Sequence, residues 1–182
     1  MRAILFDADA FICVRAMSLL RLLRSSPVLT TPMLMTEYVA RHELRDVQTD
    51  VDSLVKEGRL NIHQVSRRKT DPSGQRYREY IAEGLDKGEA ESLAWVMGLG
   101  SERPFFVSND GEARAGFRRL SAPAGDVLDL IVDAVESGGV PLEAAREVAS
   151  AAWDDRPNNQ CRPRDYTDFD ASYARRRSRH GP

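Results

Sequence analysis

The chain has 182 residues, 42% of them hydrophobic and 30% charged, which fits one globular domain and excludes a wholly disordered chain or a coiled-coil rod. A formal net charge of -2 excludes the global basic field that alone announces a nucleic-acid binder, although arginines gather in short groups. No stretch approaches the roughly 18 uninterrupted apolar residues of a membrane span. No leader pattern precedes the first apolar run, and the two cysteines, Cys13 and Cys161, predict no disulfide framework. Together these features predict a cytoplasmic protein outside the membrane.

Ala3-Ile4-Leu5-Phe6 is an apolar run ending at Asp7-Ala8-Asp9, which predicts a buried strand stopping at a carboxylate-rich turn. Ile12, Ala16, Leu19, Leu20 and Leu23 follow at helical spacing, so Cys13 is expected to pack inside the first helix. Val28-Leu29-Thr30 predicts a very short second strand. Pro32 suits the first turn of a helix carrying Met33, Leu34, Glu37 and Tyr38. A helix over 51–56 and a strand over 60–65 come next, then a polar, basic loop over 66–78 marked by Pro72 and Gly74. Residues 88–97 form a strong helical pattern, and 104–108 reads as a buried strand ending in Asn109-Asp110-Gly111. Val127, Leu130, Ile131, Ala134 and Val135 predict a helix that Gly138-Gly139 stops. Pro141 then opens a partner helix through Leu142, Ala145, Val148 and Ala149. This alternation predicts an α/β fold with a mainly parallel sheet. Residues 1–154 are expected to form the domain, and 155–182 a flexible, Arg-rich tail.

Ligand sites in open parallel sheets lie beyond the carboxyl ends of the strands. Two predicted strands end in acid there, at Asp7 and Asp110, and each has a polar residue two positions away, Asp9 and Ser108. Helices could add Glu37 and Glu89, and Glu43 lies in the same region as Glu37. Glu89 and Glu91 point to different sides of their helix, so one is expected at the site and the other in solvent. Clustered carboxylates repel one another unless a cation neutralises them, and hard oxygen ligands suit Mg²⁺ or Mn²⁺. His42, His63 and His180 lack zinc-ligand spacing. Arg67, Arg68, Arg114 and Arg118 are candidates for phosphate contacts, and the cluster from Arg175 to Arg179 offers a further electrostatic handle for RNA or an acidic partner.

Four segments, Ile4-Leu5-Phe6-Asp7-Ala8-Asp9, Thr31-Pro32-Met33-Leu34-Met35-Thr36-Glu37, Gly88-Glu89-Ala90-Glu91-Ser92-Leu93-Ala94 and Val107-Ser108-Asn109-Asp110-Gly111-Glu112-Ala113-Arg114, resemble the acidic motifs of the PIN-domain ribonucleases, in that family's order and near its spacing. The resemblance covers about residues 1–120. It implies a PIN-like α/β/α sandwich with a short central sheet, to which the sequence pattern adds the C-terminal helix pair. The implied activity is that of a Mg²⁺- or Mn²⁺-dependent endoribonuclease hydrolysing RNA phosphodiester bonds. Asp7, Glu37, Glu89 and Asp110 take the catalytic positions, Asp7, Glu89 and Asp110 hold the metal, and Asp9 and Ser108 support them. The third acid is Glu where many toxins of the family have Asp. Because the family includes toxins of bacterial toxin–antitoxin pairs, the implied partners are RNA, an antitoxin protein and a second copy of the chain. Two alternatives stand beside it. Asp7-Ala8-Asp9 also resembles the nucleophile motif of haloacid-dehalogenase-type phosphatases, although Phe11 departs from that motif. A PIN-like module that binds RNA or protein without cutting is the other. The bland reading is that Asp7 and Asp9 merely cap the following helix.

Overall fold

Five short strands form one parallel sheet in the computed structural model, which describes residues 3–25, 33–100, 103–156 and 159–180. They are β1 (Ile4–Phe6), β2 (Met33–Thr36), β3 (Leu60–His63), β4 (Phe105–Val107) and β5 (Ala124–Gly125), in the order β3-β2-β1-β4-β5. Every residue of β1, β2 and β4 is buried, as expected of parallel strands covered on both faces. The helices are α1 (Ala8–Ala16), α2 (Leu19–Ser25), α3 (Gln48–Lys56), α4 (Pro72–Ala82) and α5 (Lys87–Val96) in the first half. After them come α6 (Gly111–Arg119), α7 (Val127–Glu136), α8 (Leu142–Ala149) and α9 (Phe169–His180).

Strand alternation sends side chains into two separate cores. Ile4, Phe6, Met35 and Val107 pack against α1, α2, α3, α7 and α8, whereas Leu5, Leu34 and Phe106 face α5 and α6. Phe106 stacks flat on Phe117 of α6 at 3.6 Å between ring centroids. Full burial of each such side chain contributes roughly 1.5–3 kcal/mol, so the two cores fix the sheet between its helical layers. The architecture is an α/β/α sandwich. Among the described residues no helix is long and apolar enough to cross a membrane.

The chain leaves β1 for β2 and β3, then returns on the opposite side of β1 to make β4 and β5. The crevice between the carboxyl ends of β1 and β4 is therefore the topological switch point, where open α/β sheets bind ligands.

Several elements differ from the sequence-based expectation. Met33–Thr36 is a strand, not the first turns of a helix, because a run of three apolar residues and a threonine, all buried between two strands, satisfies a parallel strand. Helical backbone begins only at Glu37. The expected strand at Val28–Thr30 lies outside the described residues. The expected loop over 66–78 is partly α4, begun by Asp71 as N-cap and Pro72 at the first position. The expected tail is partly α9, which lays Phe169, Tyr173 and Arg176 on one face against α7 and α8. Cys13 and Cys161 form a disulfide that ties the segment before α9 to α1.

Candidate active site

The switch-point crevice is built by helix caps. Asp7 ends β1 as the N-cap of α1, its carboxylate accepting the Ala8 N–H at 2.9 Å. Asp110 follows β4 as the N-cap of α6 and accepts the N–H groups of Glu112 and Ala113 at 2.6 and 3.1 Å. The capping reading thus holds for Asp7, Asp110 proves to be a cap as well, and capping does not exhaust either acid. Asp9 caps nothing. Its carboxylate reaches across to the end of β4, where it accepts the Asn109 N–H at 3.0 Å and the Ser108 hydroxyl at 3.5 Å. Ser108 is fully buried, and its oxygen also accepts the Asp110 N–H at 3.0 Å. One hydroxyl therefore orients Asp9 and the turn that presents Asp110.

Two more acids come from the other side of the crevice. Asp86 caps α5 by accepting the Glu89 N–H at 2.7 Å, which places Glu89 in the first turn. Glu43 ends a π-helical turn, Val39–Glu43, and its carboxylate lies on the backbone of Gly88. A Cβ at position 88 would come too close to that carboxylate, so any larger residue there would make the Glu43 side chain move.

Electrostatics show what this gathering costs. Burial pushes the Asp7 carboxyl up to about 8, with Asp9 and Glu43 acting in the same direction against hydrogen bonds from Ser108 and Ala8. Burial pushes Glu43 up to about 7, with repulsion from Asp86, Glu89, Glu91 and Asp9. Burial likewise raises Asp9 and Glu89, and Asp110 adds repulsion to both. Among the described residues, no lysine or arginine figures in the leading influences on these four acids.

The structure thus brings Asp7, Asp9, Ser108, Glu89 and Asp110 to one edge, together with Glu43. Glu37 is not part of the gathering. It accepts a hydrogen bond from Gln64 at 2.7 Å and neighbours Glu91 instead. Glu91 is not in solvent either: it is 1% exposed, accepts the Tyr38 N–H at 2.6 Å and pairs with Arg67 at 2.7 Å. Glu43 carries little signal in the sequence because it sits six residues beyond the motif position at Glu37. A π turn widens the helix and alters which residue faces the crevice.

The basic candidates have structural partners. Arg67 pairs with Glu91 and lies over the Tyr77 ring at 3.7 Å. Arg114 donates to the Ser108 carbonyl at 2.6 Å, and Arg118 donates twice to the Ala124 carbonyl at 3.1 and 2.8 Å. Arg68 is exposed, and its own N–H donates to the Ser66 hydroxyl.

The donor set consists of carboxylate oxygens with one hydroxyl, hard ligands that fit Mg²⁺ or Mn²⁺ and relieve mutual repulsion by holding one. Among the described residues no three His, Cys, Asp or Glu side chains are already drawn close enough to hold a metal ion. Side chains would have to turn inward to complete a shell. No protein-family model matches the chain, and no curated protein matches it.

Proposed function

We propose that the chain is a divalent-metal-dependent endoribonuclease of the PIN type, hydrolysing RNA phosphodiester bonds. The observation that supports this most is the surplus of negative charge at the switch point, where half-buried Asp7, Asp9 and Glu89 and the more exposed Glu43 have raised pKa values and repel one another. Such a cluster is unfavourable on its own and would become favourable with a divalent cation, whose remaining charge would then attract a phosphate. In this reading Asp7, Glu89 and Asp110 hold the ion. A Mg²⁺ or Mn²⁺ ion there supplies positive charge against the scissile phosphate and acidifies the attacking water.

Asp9 and Ser108 keep the β1 and β4 ends in register, so that Asp7 and Asp110 face the same phosphate. Glu43, pushed up to about 7, takes the proton of the attacking water near neutral pH. Glu37, turned to Gln64, has no part. Attack by water instead of the ribose 2′-hydroxyl leaves a 5′-phosphate and a 3′-hydroxyl. The deciding experiment incubates the purified protein with single-stranded RNA and Mn²⁺, and in parallel with a generic phosphate monoester. Cleavage to 5′-phosphate ends, lost in Asp7→Asn and Asp110→Asn, is the expected result. Monoester hydrolysis with an acyl-phosphate trapped on Asp7 would replace this reading with a phosphatase. RNA left intact at every Mn²⁺ concentration would end it.

A further inference from the structure

Cys13 and Cys161 are joined across 148 positions of sequence, and both are buried, at 5% and 8% exposure. Their surroundings make the bond more than a staple. The Asn109 side-chain amide donates to the Cys13 sulfur at 3.2 Å, while the Asn109 main-chain N–H holds Asp9 at 3.0 Å. The same Asn109 side chain accepts the Val127 N–H at 3.5 Å, which links the turn to the start of α7. One residue therefore connects the disulfide to the acidic edge. The helix beyond Cys161 has anchors of its own. Arg176 of α9 meets Asp126, Asp129 and Asp165 at 2.9, 2.8 and 2.6 Å, and Phe169 and Tyr173 are buried.

We propose that the Cys13–Cys161 disulfide is a redox-operated fastening that sets how firmly Asn109 holds the acidic edge. A dithiol reductant opens it in two exchanges. One thiolate displaces a protein sulfur to form a mixed disulfide, and the second thiol of the reductant then displaces the other. Two electrons and two protons pass to the protein, giving Cys13 and Cys161 thiols and a cyclic oxidised reductant. The turn over 159–168 loses its covalent tie, and Asn109 loses a fixed sulfur partner. α9 stays docked through Arg176 and its aromatic face. The coupling concerns order at the edge and stands whether or not the edge cuts RNA.

The test is hydrogen–deuterium exchange on the full chain, oxidised and after dithiothreitol, with thiols counted in both states. The expected count rises from none to two. Exchange should rise several-fold over 106–112 and 159–168, while β1, α3 and α9 keep their protection. Asn109→Ala in the oxidised protein should raise exchange over 106–112 alone, which separates the Asn109 link from any general loosening. Two free thiols after mild oxidation would overturn the proposal. So would unchanged exchange over 106–112 on reduction, or a rise that extends equally through β1 and α3.

Discussion

Asp7 pays most for its place among the acids, because its carboxyl is pushed from 3.8 to about 8 chiefly by burial and by Asp9. A folded-state value above the unfolded one means that the native protein holds a proton the unfolded chain has already released. Between about pH 4 and 8 the metal-free protein should therefore lose stability as pH rises, by up to about 1.4 kcal/mol per pH unit for this group. Glu43 adds to the same slope between 4.5 and about 7. Denaturation midpoints measured in chelator across this range check the sign. Asp7→Asn should flatten the slope and exceed the wild type in stability at pH 8, and a wild-type slope of opposite sign would show that the edge is solvated. Millimolar Mn²⁺ should reverse the order of the two proteins, since the ion binds deprotonated carboxylates. Glu43 and Glu37 separate by activity. Glu43→Gln should lower RNA cleavage by roughly 10²–10⁴-fold, the span of general-base catalysis, while Glu37→Gln leaves it unchanged. Equal losses in both variants would put Glu37 back at the site.

At the scale of the elements, the π turn and the start of α5 place Glu43 together, and Gly88 is where they meet. Gly88→Ala sets two effects against each other. Helix propensity favours alanine by about 1 kcal/mol, whereas the new Cβ expels the Glu43 carboxylate from its seat. The expected outcome is a melting temperature that is kept or slightly raised with RNA cleavage lost, read by circular dichroism and a gel assay on the same sample. Full activity would mean that Glu43 works from elsewhere. This junction also marks the limit of what the residues disclose by themselves. β1, β4, α5, α7 and α8 are legible because apolar runs ending in Asp, or strict helical spacing closed by glycines, leave one solution. β2 is not, since three apolar residues and a threonine after a proline satisfy a helix start as well as a strand, and only pairing with β1 and β3 decides. β5 spans two residues, Ala124 and Gly125, too short for any pattern. α4 buries almost nothing of its own and is held mainly by α5, so its polar sequence reads as a loop. Asp7, Asp9, Ser108 and Asp110 follow from the strand ends, and Glu89 from the first turn of a strongly patterned helix. Glu43 does not, because its place depends on a backbone irregularity that periodicity arguments assume away.

For the whole molecule, the C-terminal segment is the part whose composition misleads most. Its arginines look like a solvated handle for a polyanion, yet Arg176 is 6% exposed and grips three carboxylates, two of them the capping box of α7. Burial alone would weaken its charge, and Asp126 and Asp129 more than offset that. Asp126 itself is raised by burial and by Asp129 despite the guanidinium. Removing Arg176 therefore leaves two buried carboxylates facing each other, the situation in which a broken buried pair costs about 3–5 kcal/mol. In a chain of this size each kcal/mol shifts the midpoint by about 2–4 °C, so Arg176→Met should melt roughly 6–20 °C below the wild type at pH 7.5. Deleting 172–182 should do at least as much, because it also removes Tyr173 from the core. The cause can be separated from lost packing in two ways. Acidification should narrow the gap, since protonating Asp126 relieves the repulsion. Adding Asp126→Asn and Asp129→Asn to Arg176→Met should recover part of the loss, as a neutral set leaves no uncompensated charge. Midpoints for Arg176→Met that match the wild type, or a triple variant less stable than the single one, would show that the cluster contributes through packing and not through charge.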